Sequence, residues 1–397
     1  MRIKLQSRLK PNFNYKEIIA LFRHRSRPIE EFEKKFAQKF KNKYGVMFSH
    51  GRVGLYSLFK TWGLDNDEII CPAYTCVVVP NSIVLSGNIP VFIDCEKNSW
   101  NMSYEDIERN ITHKTRAIIV THLFGYPMDV HKIEKIVSEA ETKHKKKIYV
   151  IQDCAHSFGC EWDGQIVTKF GDASFFGLNI SKIMSSVFGG MVITDDYKLS
   201  KELREFSKIN FKKSRFKNIK RLMYFFSVYT IFNQYIFRTI NWLEHKGFLD
   251  SFVKYYDENT IDFPKDWRQL PCNIEAQVGL SQLKKYDYII KEKRKNAILW
   301  FEEIKNNNDL TILEHDKGTT FSHCVALTDK RKQLVERYRR QGIQLGILIE
   351  YCIPEMPSFK KYDQGKNFPV SSYYSKRTVN FPNWVNINKK YGFARNT

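Results

Sequence analysis

The sequence predicts an α/β fold, a mainly parallel sheet covered on both faces by helices, with a smaller α+β part following it. Three observations predict this. Short apolar runs alternate with helical stretches along the first half of the chain. Most of those runs are continuous rather than alternating, as in strands buried on both faces. At 397 residues the chain exceeds one minimal core and suits a large domain with a smaller one attached, which we place at 1–270 and 271–397.

The elements follow in order. In residues 28–43, Ile29, Phe32, Phe36 and Phe40 recur at helical spacing, predicting an amphipathic helix. A strand over Gly45–Phe48 leads through Ser49-His50-Gly51-Arg52 into a helix at 53–62. Glu68–Cys71 is a strand ending in the turn Pro72-Ala73-Tyr74-Thr75. A helix over Val77–Ser86 carries Pro80 in its first turn, where proline is tolerated. Then come a strand at Ile89–Asp94, a helix at Tyr104–Asn110 and a strand at Arg116–Thr121 that runs into His122. Asp129–Glu141 is helical, and Lys147–Gln152 is the next strand.

Residues 171–194 hold two short strands, ASFFG and GGMVIT, on either side of a turn. The stretch 198–270 differs: a basic run is followed by Leu222–Phe237, which has no charge. That run falls short of the roughly 20 residues needed to span a bilayer. Its basic flank and aromatic content suit either a helix lying in a membrane interface or a helical pair packed on the body. A long amphipathic helix is expected over 274–305, then a strand near Cys324–Leu327 and a helix at Lys330–Gln341.

Composition narrows the function classes. Apolar content of 43% and aromatic content of 15% exclude a disordered chain. Eight cysteines show neither CxxC pairing nor zinc-ligand spacing, so no metal is expected and the thiols read as reduced and cytoplasmic. The first residues lack the apolar stretch of a signal peptide. The net charge of +21 reflects either solvated lysine-rich faces or attraction to polyanions such as nucleotides or an acidic membrane. No zinc-finger or RNP-like motif accompanies it, so specific nucleic-acid readout is not expected.

One pairing carries the chemistry. An apolar run ends at Asp153, and Lys182 follows in a small polar turn with Gly177, Asn179 and Ser181 before Gly189-Gly190. A pyridine cofactor needs a carboxylate to keep its nitrogen protonated and an amine to bind its aldehyde. Asp153 and Lys182 therefore point to pyridoxal phosphate. The competing readings are a helix cap for Asp153 and a solvated charge for Lys182. His156 could touch the cofactor ring or be a satisfied core histidine. The turn at Gly51 and Arg52 opens a helix whose N–H groups suit the phosphate. Cys76 opens another turn near the same edge. Tyr74 and His122 lie just after strands, where substrate pockets form, although the histidine fits a structural role equally.

The chain resembles the DegT-type sugar aminotransferases, pyridoxal-phosphate enzymes of fold type I, over about 28–200 and 270–385. IEEFEKKFAQKF resembles the family's opening helix, SHGRVGLYSL its phosphate turn and CPAYTCVVVPNSI its Pro-x-aromatic-Thr turn. GNIPVFIDCEKNSWNM, THLFGYPMDV, QDCAHSFGCEWDGQIVTKFGDASFF and EAQVGLSQLKK follow in the family's order. The resemblance implies that Lys182 carries the cofactor, Asp153 meets the ring nitrogen and His156 lies beside the ring. It gives Gly51 and Arg52 to the phosphate, and Cys76 to the place where many members stack an aromatic. It implies a homodimer with shared sites, and amino transfer from glutamate to a keto sugar, normally on a nucleotide.

Four departures stand out. Gly177 replaces the usual Ser or Thr, so Asn179 or Ser181 would have to supply its hydroxyl or amide. Arg52 replaces Thr, Cys76 replaces an aromatic, and 200–270 is longer than usual. Related dehydratases carry His in place of Lys182, which argues against that branch. The expected function is thus keto-sugar amination, with the basic segment 212–250 offering contact with an anionic inner membrane face. The rivals are a transferase acting on a non-sugar ketone and an idle scaffold of this fold at a glycan-assembly site.

Overall fold

The computed structural model describes residues 5–232, 236, 237, 239 and 257–387. Its centre is a seven-stranded sheet built from β1 (Tyr44–Phe48), β2 (Glu68–Pro72), β3 (Ile89–Ile93), β4 (Thr115–Thr121), β5 (Tyr149–Asp153), β8 (Ala173–Gly177) and β9 (Gly190–Thr194). The order is β1-β9-β8-β5-β4-β2-β3. The pairs β2/β3, β2/β4, β4/β5 and β5/β8 are parallel, while β9 runs antiparallel to both β1 and β8. The two-residue strands β6 (Glu161–Trp162) and β7 (Gln165–Ile166) form a small hairpin.

Helices cover this sheet. On one face lie α3 (Gly51–Thr61), α4 (Val78–Leu85) and α7 (Tyr197–Asn210), packed on Phe48, Ile119, Ile151 and Val192; on the other lie α2 (Pro28–Lys39), packed on Met47, Phe176 and Met191, and α5 (Tyr104–Asn110) and α6 (Val130–His144), packed on Ile118 and Val120. Four of them begin as sequence rules predict: Pro28 at the start of α2, and Ser103, Asp129 and Asp196 as side-chain caps of α5, α6 and α7. Phe32, Phe36 and Phe40 are fully buried, as their spacing requires. They meet Phe158 and Phe176 in one aromatic cluster, with Phe36 4.9 Å from Phe176 and Phe158 4.9 Å from Phe176. Each such ring contributes about 1.5–3 kcal/mol by burial. The cluster therefore anchors the end of β8 and the loop after β5, which form the site below.

The helices before Cys324 depart from the sequence reading in two places. A helix α1 (Tyr15–Phe22) precedes the expected first one. Its signal was the Asn14/Glu17 capping box, in which Asn14 accepts from Lys16 N and Glu17 accepts from Asn14 N. The long helix expected over 274–305 is two, α9 (Asn273–Leu283) and α10 (Tyr286–Ile304). The break lets each half bury its own face. Ala276, Val278 and Leu280 are buried in α9, while Tyr286 in α10 donates to the Phe158 carbonyl. The uncharged run after the basic stretch begins as α8 (Lys217–Ile231); its continuation at 233–235, 238 and 240–256 lies outside the described residues.

Towards the C-terminus, β10 (Cys324–Leu327) and β11 (Thr378–Phe381) pair antiparallel, flanked by α11 (Arg331–Arg340) and α12 (Pro369–Arg377). One apolar cluster runs without interruption from Phe48 in the large sheet to Phe381 in the small one. Packing across 270 is therefore continuous. All eight cysteines are free thiols, and all but Cys76 are buried.

Candidate active site

The site forms where β1, β2, β4, β5 and β8 end on the same edge. Asp153 is the last residue of β5 and is buried. Its Oδ1 accepts from Ala155 N at 3.0 Å, and Thr121 Oγ1 donates to its Oδ2 at 3.3 Å. Burial pushes its carboxyl up to about 6, against the pull of the Ala155 N–H, the Lys182 charge and Thr121. Lys182 sits in the β8–β9 loop, where its N–H donates to the Asn179 carbonyl. Burial pushes its ammonium below the ordinary lysine range; Cys76 and Asp153 oppose this and Arg52 adds to it. These four side chains thus share one electrostatic neighbourhood, which Lys182 also shares with His156.

Backbones pack closely around them. A Cβ on Gly51 would lie 2.9 Å from the Phe176 carbonyl oxygen, and one on Gly190 would lie 2.3 Å from Gly51 N. Only glycine permits this approach, which brings the first turn of α3 against the ends of β8 and β9. A Cβ on Gly177 would stand 3.3 Å from Lys182 Cε.

The structure places the other expected residues as follows. Asn179 Oδ1 accepts from both Ser181 N and Ser181 Oγ, at 2.9 and 2.6 Å. Their side chains thus satisfy each other and shape the lysine turn. Tyr74 is fully buried, with its hydroxyl 3.0 Å from Thr378 Oγ1, tying the two sheets together. His122 is fully buried too: Nδ1 accepts from Met128 N at 2.9 Å, and Nε2 lies 2.8 Å from Gln152 Oε1. Thr378, Met128 and Gln152 thus occupy the polar atoms of Tyr74 and His122, which gives each a structural role.

The pocket at Lys182 is completed by residues that sequence reasoning missed. Arg8 and Lys10 precede α1, Lys293 comes from α10, His323 adjoins β10, and Asn380 lies in β11. His323 lies 4.7 Å from His156, centre to centre, and Ser322 Oγ pairs with its Nδ1 at 2.9 Å. Burial keeps His323 neutral, with the charges of Lys293 and Lys182 acting the same way. Lys293 donates to the Ser322 and Asn383 carbonyls, and burial lowers its ammonium to about 8. No local motif marked these residues, because only the chain's return brings them to Lys182.

The residues present fit pyridoxal phosphate. His50, at the N-cap of α3, makes no side-chain cap, so its side chain would not compete with an anion for the first-turn N–H groups. The buried Asp153 carboxyl calls for a cationic partner such as a protonated ring nitrogen. His156 Nδ1 is buried and meets no hydrogen-bond partner among the described residues, leaving a polar contact to be made.

Comparison with known proteins agrees. The model of the DegT/DnrJ/EryC1/StrS aminotransferase family matches residues 21–231 and 271–391. The chain is 28% identical over 369 residues to GDP-perosamine synthase of Escherichia coli O157:H7, covering 91% of this chain and 86% of that protein. It is 25% identical over 340 residues to dTDP-4-amino-4,6-dideoxy-D-glucose transaminase of Shigella dysenteriae, covering 84% and 78%. Among solved structures, E. coli GDP-4-keto-6-deoxy-D-mannose-3-dehydratase with bound hydrated PLP superposes with a TM-score of 0.74 at 19% identity, over 96% of each chain. That likeness shows the shared type I fold and no more.

Proposed function

Because the chain belongs to the DegT/DnrJ/EryC1/StrS aminotransferase family, we propose that it moves an amino group from an amino acid, with glutamate the first candidate, to a keto sugar held on a nucleotide or a lipid carrier. It is a pyridoxal-phosphate aminotransferase of amino-sugar biosynthesis by family and relatives, and its proposed product is an amino sugar of a surface glycan. The observation that carries the reading is the joint placement of Lys182, Asp153, Arg52 and Cys76 at one strand edge.

When bound, the cofactor supplies an aldehyde that accepts nitrogen and a ring that withdraws electrons. Gly51 and Arg52 would hold its phosphate, Asp153 its ring nitrogen, and Cys76 and His156 its faces. Lys182 Nζ takes the proton from the donor Cα and, in the return half, delivers one to the sugar carbon that gains nitrogen. Its lowered ammonium raises the neutral fraction that this work needs. Asp153 stabilises positive charge through both halves. His323, Arg8 and Asn380 border the space left for substrate, and Lys293 holds the loop behind them.

A homodimer with shared sites and a cytoplasmic location belong to the same reading. So does contact with an anionic membrane through the basic segment 212–250, of which 233–235, 238 and 240–250 lie outside the described residues. In its support, α8 exposes Ile219 and Met223 four residues apart, with Phe216 before them and Lys212, Lys213 and Arg215 close by. Among the described residues no helix is long and apolar enough to cross a membrane.

The test is direct. The purified protein, supplied with cofactor and glutamate, should form 2-oxoglutarate and an amino sugar from a nucleotide-linked keto sugar. Borohydride reduction should leave a pyridoxyl group on Lys182. Failure of both would remove the reading.

A further inference from the structure

We infer that His50 is a positioning residue for the cofactor phosphate, held in place from outside the turn by Asp266 and Arg221. The inference rests on the reading above that the first turn of α3 takes that phosphate.

An N-cap is ordinarily a small polar residue whose oxygen accepts a first-turn N–H. His50 does otherwise. Its Nε2 points away from the helix to Asp266 Oδ1 at 2.8 Å, across 216 positions of sequence. Asp266 Oδ2 in turn accepts from Arg221 Nη2 at 2.6 Å, and Arg221 Nε donates to Glu275 Oε1 at 2.7 Å. Glu275 also caps α9, accepting from Cys272 N at 2.9 Å, and is wholly buried. The chain of contacts therefore runs from the rigid start of α9, through α8, to the start of α3. Next to His50, Ser49 Oγ donates to the Trp267 carbonyl at 3.0 Å, so two consecutive residues of the turn are tied to the same segment.

Arg221 bears on the opposite side of the turn as well. Its guanidinium carbon stands 4.1 Å over the Phe188 ring, and Phe188 adjoins the Gly189-Gly190 pair that packs against Gly51. Electrostatics give Arg221 a second task. An isolated Asp266 carboxylate would repel an anion at the start of α3, and the Arg221 charge offsets it. Sequence reading marked 200–270 as unusually long and assigned it no part in the site. The contacts make α8 a support for the phosphate turn.

The experiment compares cofactor-free wild type with His50→Ala, Asp266→Asn and His50→Gln. Equilibrium titration measures affinity for pyridoxal phosphate and for pyridoxal, which lacks the phosphate. We expect His50→Ala and Asp266→Asn each to weaken pyridoxal phosphate about tenfold while pyridoxal changes less than about twofold, the scale of one lost positioning contact. A protein carrying both His50→Ala and Asp266→Asn should be little worse than either single variant, since both cut the same link. His50→Gln, which can still donate to Asp266, should recover most of the loss. The phosphorus NMR signal of the bound cofactor should move in the alanine variant and return in the glutamine one. Unchanged affinity for pyridoxal phosphate overturns the inference, and so does an equal loss for both ligands. If wild type itself holds pyridoxal phosphate no more tightly than pyridoxal, the phosphate reading of α3 fails, a result visible without any variant.

Discussion

Thr121 and Asp153 face each other as register partners at the ends of adjacent parallel strands, and the threonine hydroxyl donates to the aspartate Oδ2 at 3.3 Å. This pair sets the buried carboxyl at the centre of the site. It also gives the cofactor-free protein a measurable pH signature. The Asp153 carboxyl is raised from 3.8 to about 6, so the folded state keeps a proton that the unfolded chain releases. Its contribution to stability is complete below about pH 4 and is lost as pH rises through 6, by up to about 3 kcal/mol. Asp153→Asn should remove this step. Denaturant titrations of both proteins at pH 4.5 and pH 8 should show the variant gaining relative to wild type at the higher pH. A constant difference would contradict the assignment.

His122 predicts a window of opposite sign. Burial lowers its imidazole from 6.5 to about 4, so the unfolded chain binds a proton that the folded one refuses. The resulting stability is present above about pH 6.5 and declines as pH falls towards 4. His122→Ala orphans Met128 N and Gln152 and should cost about 2–4 kcal/mol. Because both ring nitrogens are engaged by Met128 and Gln152, KM for the keto sugar should stay within about twofold. A large KM change with intact stability would restore the substrate-binding role.

Lys182→Arg keeps the positive charge but cannot carry the cofactor or shuttle the proton. Turnover should fall by about 10²–10⁴, the usual scale of general acid–base catalysis. Peptide mapping after borohydride should show the pyridoxyl group in wild type alone. A variant that turned over at the wild-type rate would move the chemistry elsewhere.

Phe36 touches no site residue directly, yet it packs on Phe158 and Phe176, which flank the loops bearing His156 and Lys182. Phe36→Ala should lower unfolding free energy by about 3–5 kcal/mol. The denaturant midpoint should drop with the slope unchanged, and pyridoxal phosphate should exchange faster from the folded protein. A midpoint near that of wild type would mean that the cluster does not hold these loops.

The exposed residues of α8 give the membrane proposal its test. Replacing Phe216, Ile219 and Met223 together by serine should reduce co-sedimentation with anionic vesicles severalfold while leaving cofactor affinity intact, because none of the three belongs to the Arg221 network. Equal sedimentation of both proteins would refute that contact.

Sequence alone determined the alternation of strands and helices that builds the large sheet, the strand ends that gather the site, and the Asp153/Lys182 pairing. Those features are local. A continuous apolar run reports burial on both faces, helical spacing of Phe32, Phe36 and Phe40 reports one buried side, and a strand end reports the edge where sites form. Tertiary structure decided the rest. Tyr74 and His122 sit at strand ends exactly as suitable as Asp153, but their polar atoms are consumed by Thr378, Met128 and Gln152. His323, Lys293 and Arg8 reach Lys182 only after the chain folds back, and His50 finds Asp266 only across the whole 200–270 segment. Periodicity tells which face of an element is buried; which distant side chain will meet a given polar atom is set by topology, and no local pattern encodes it.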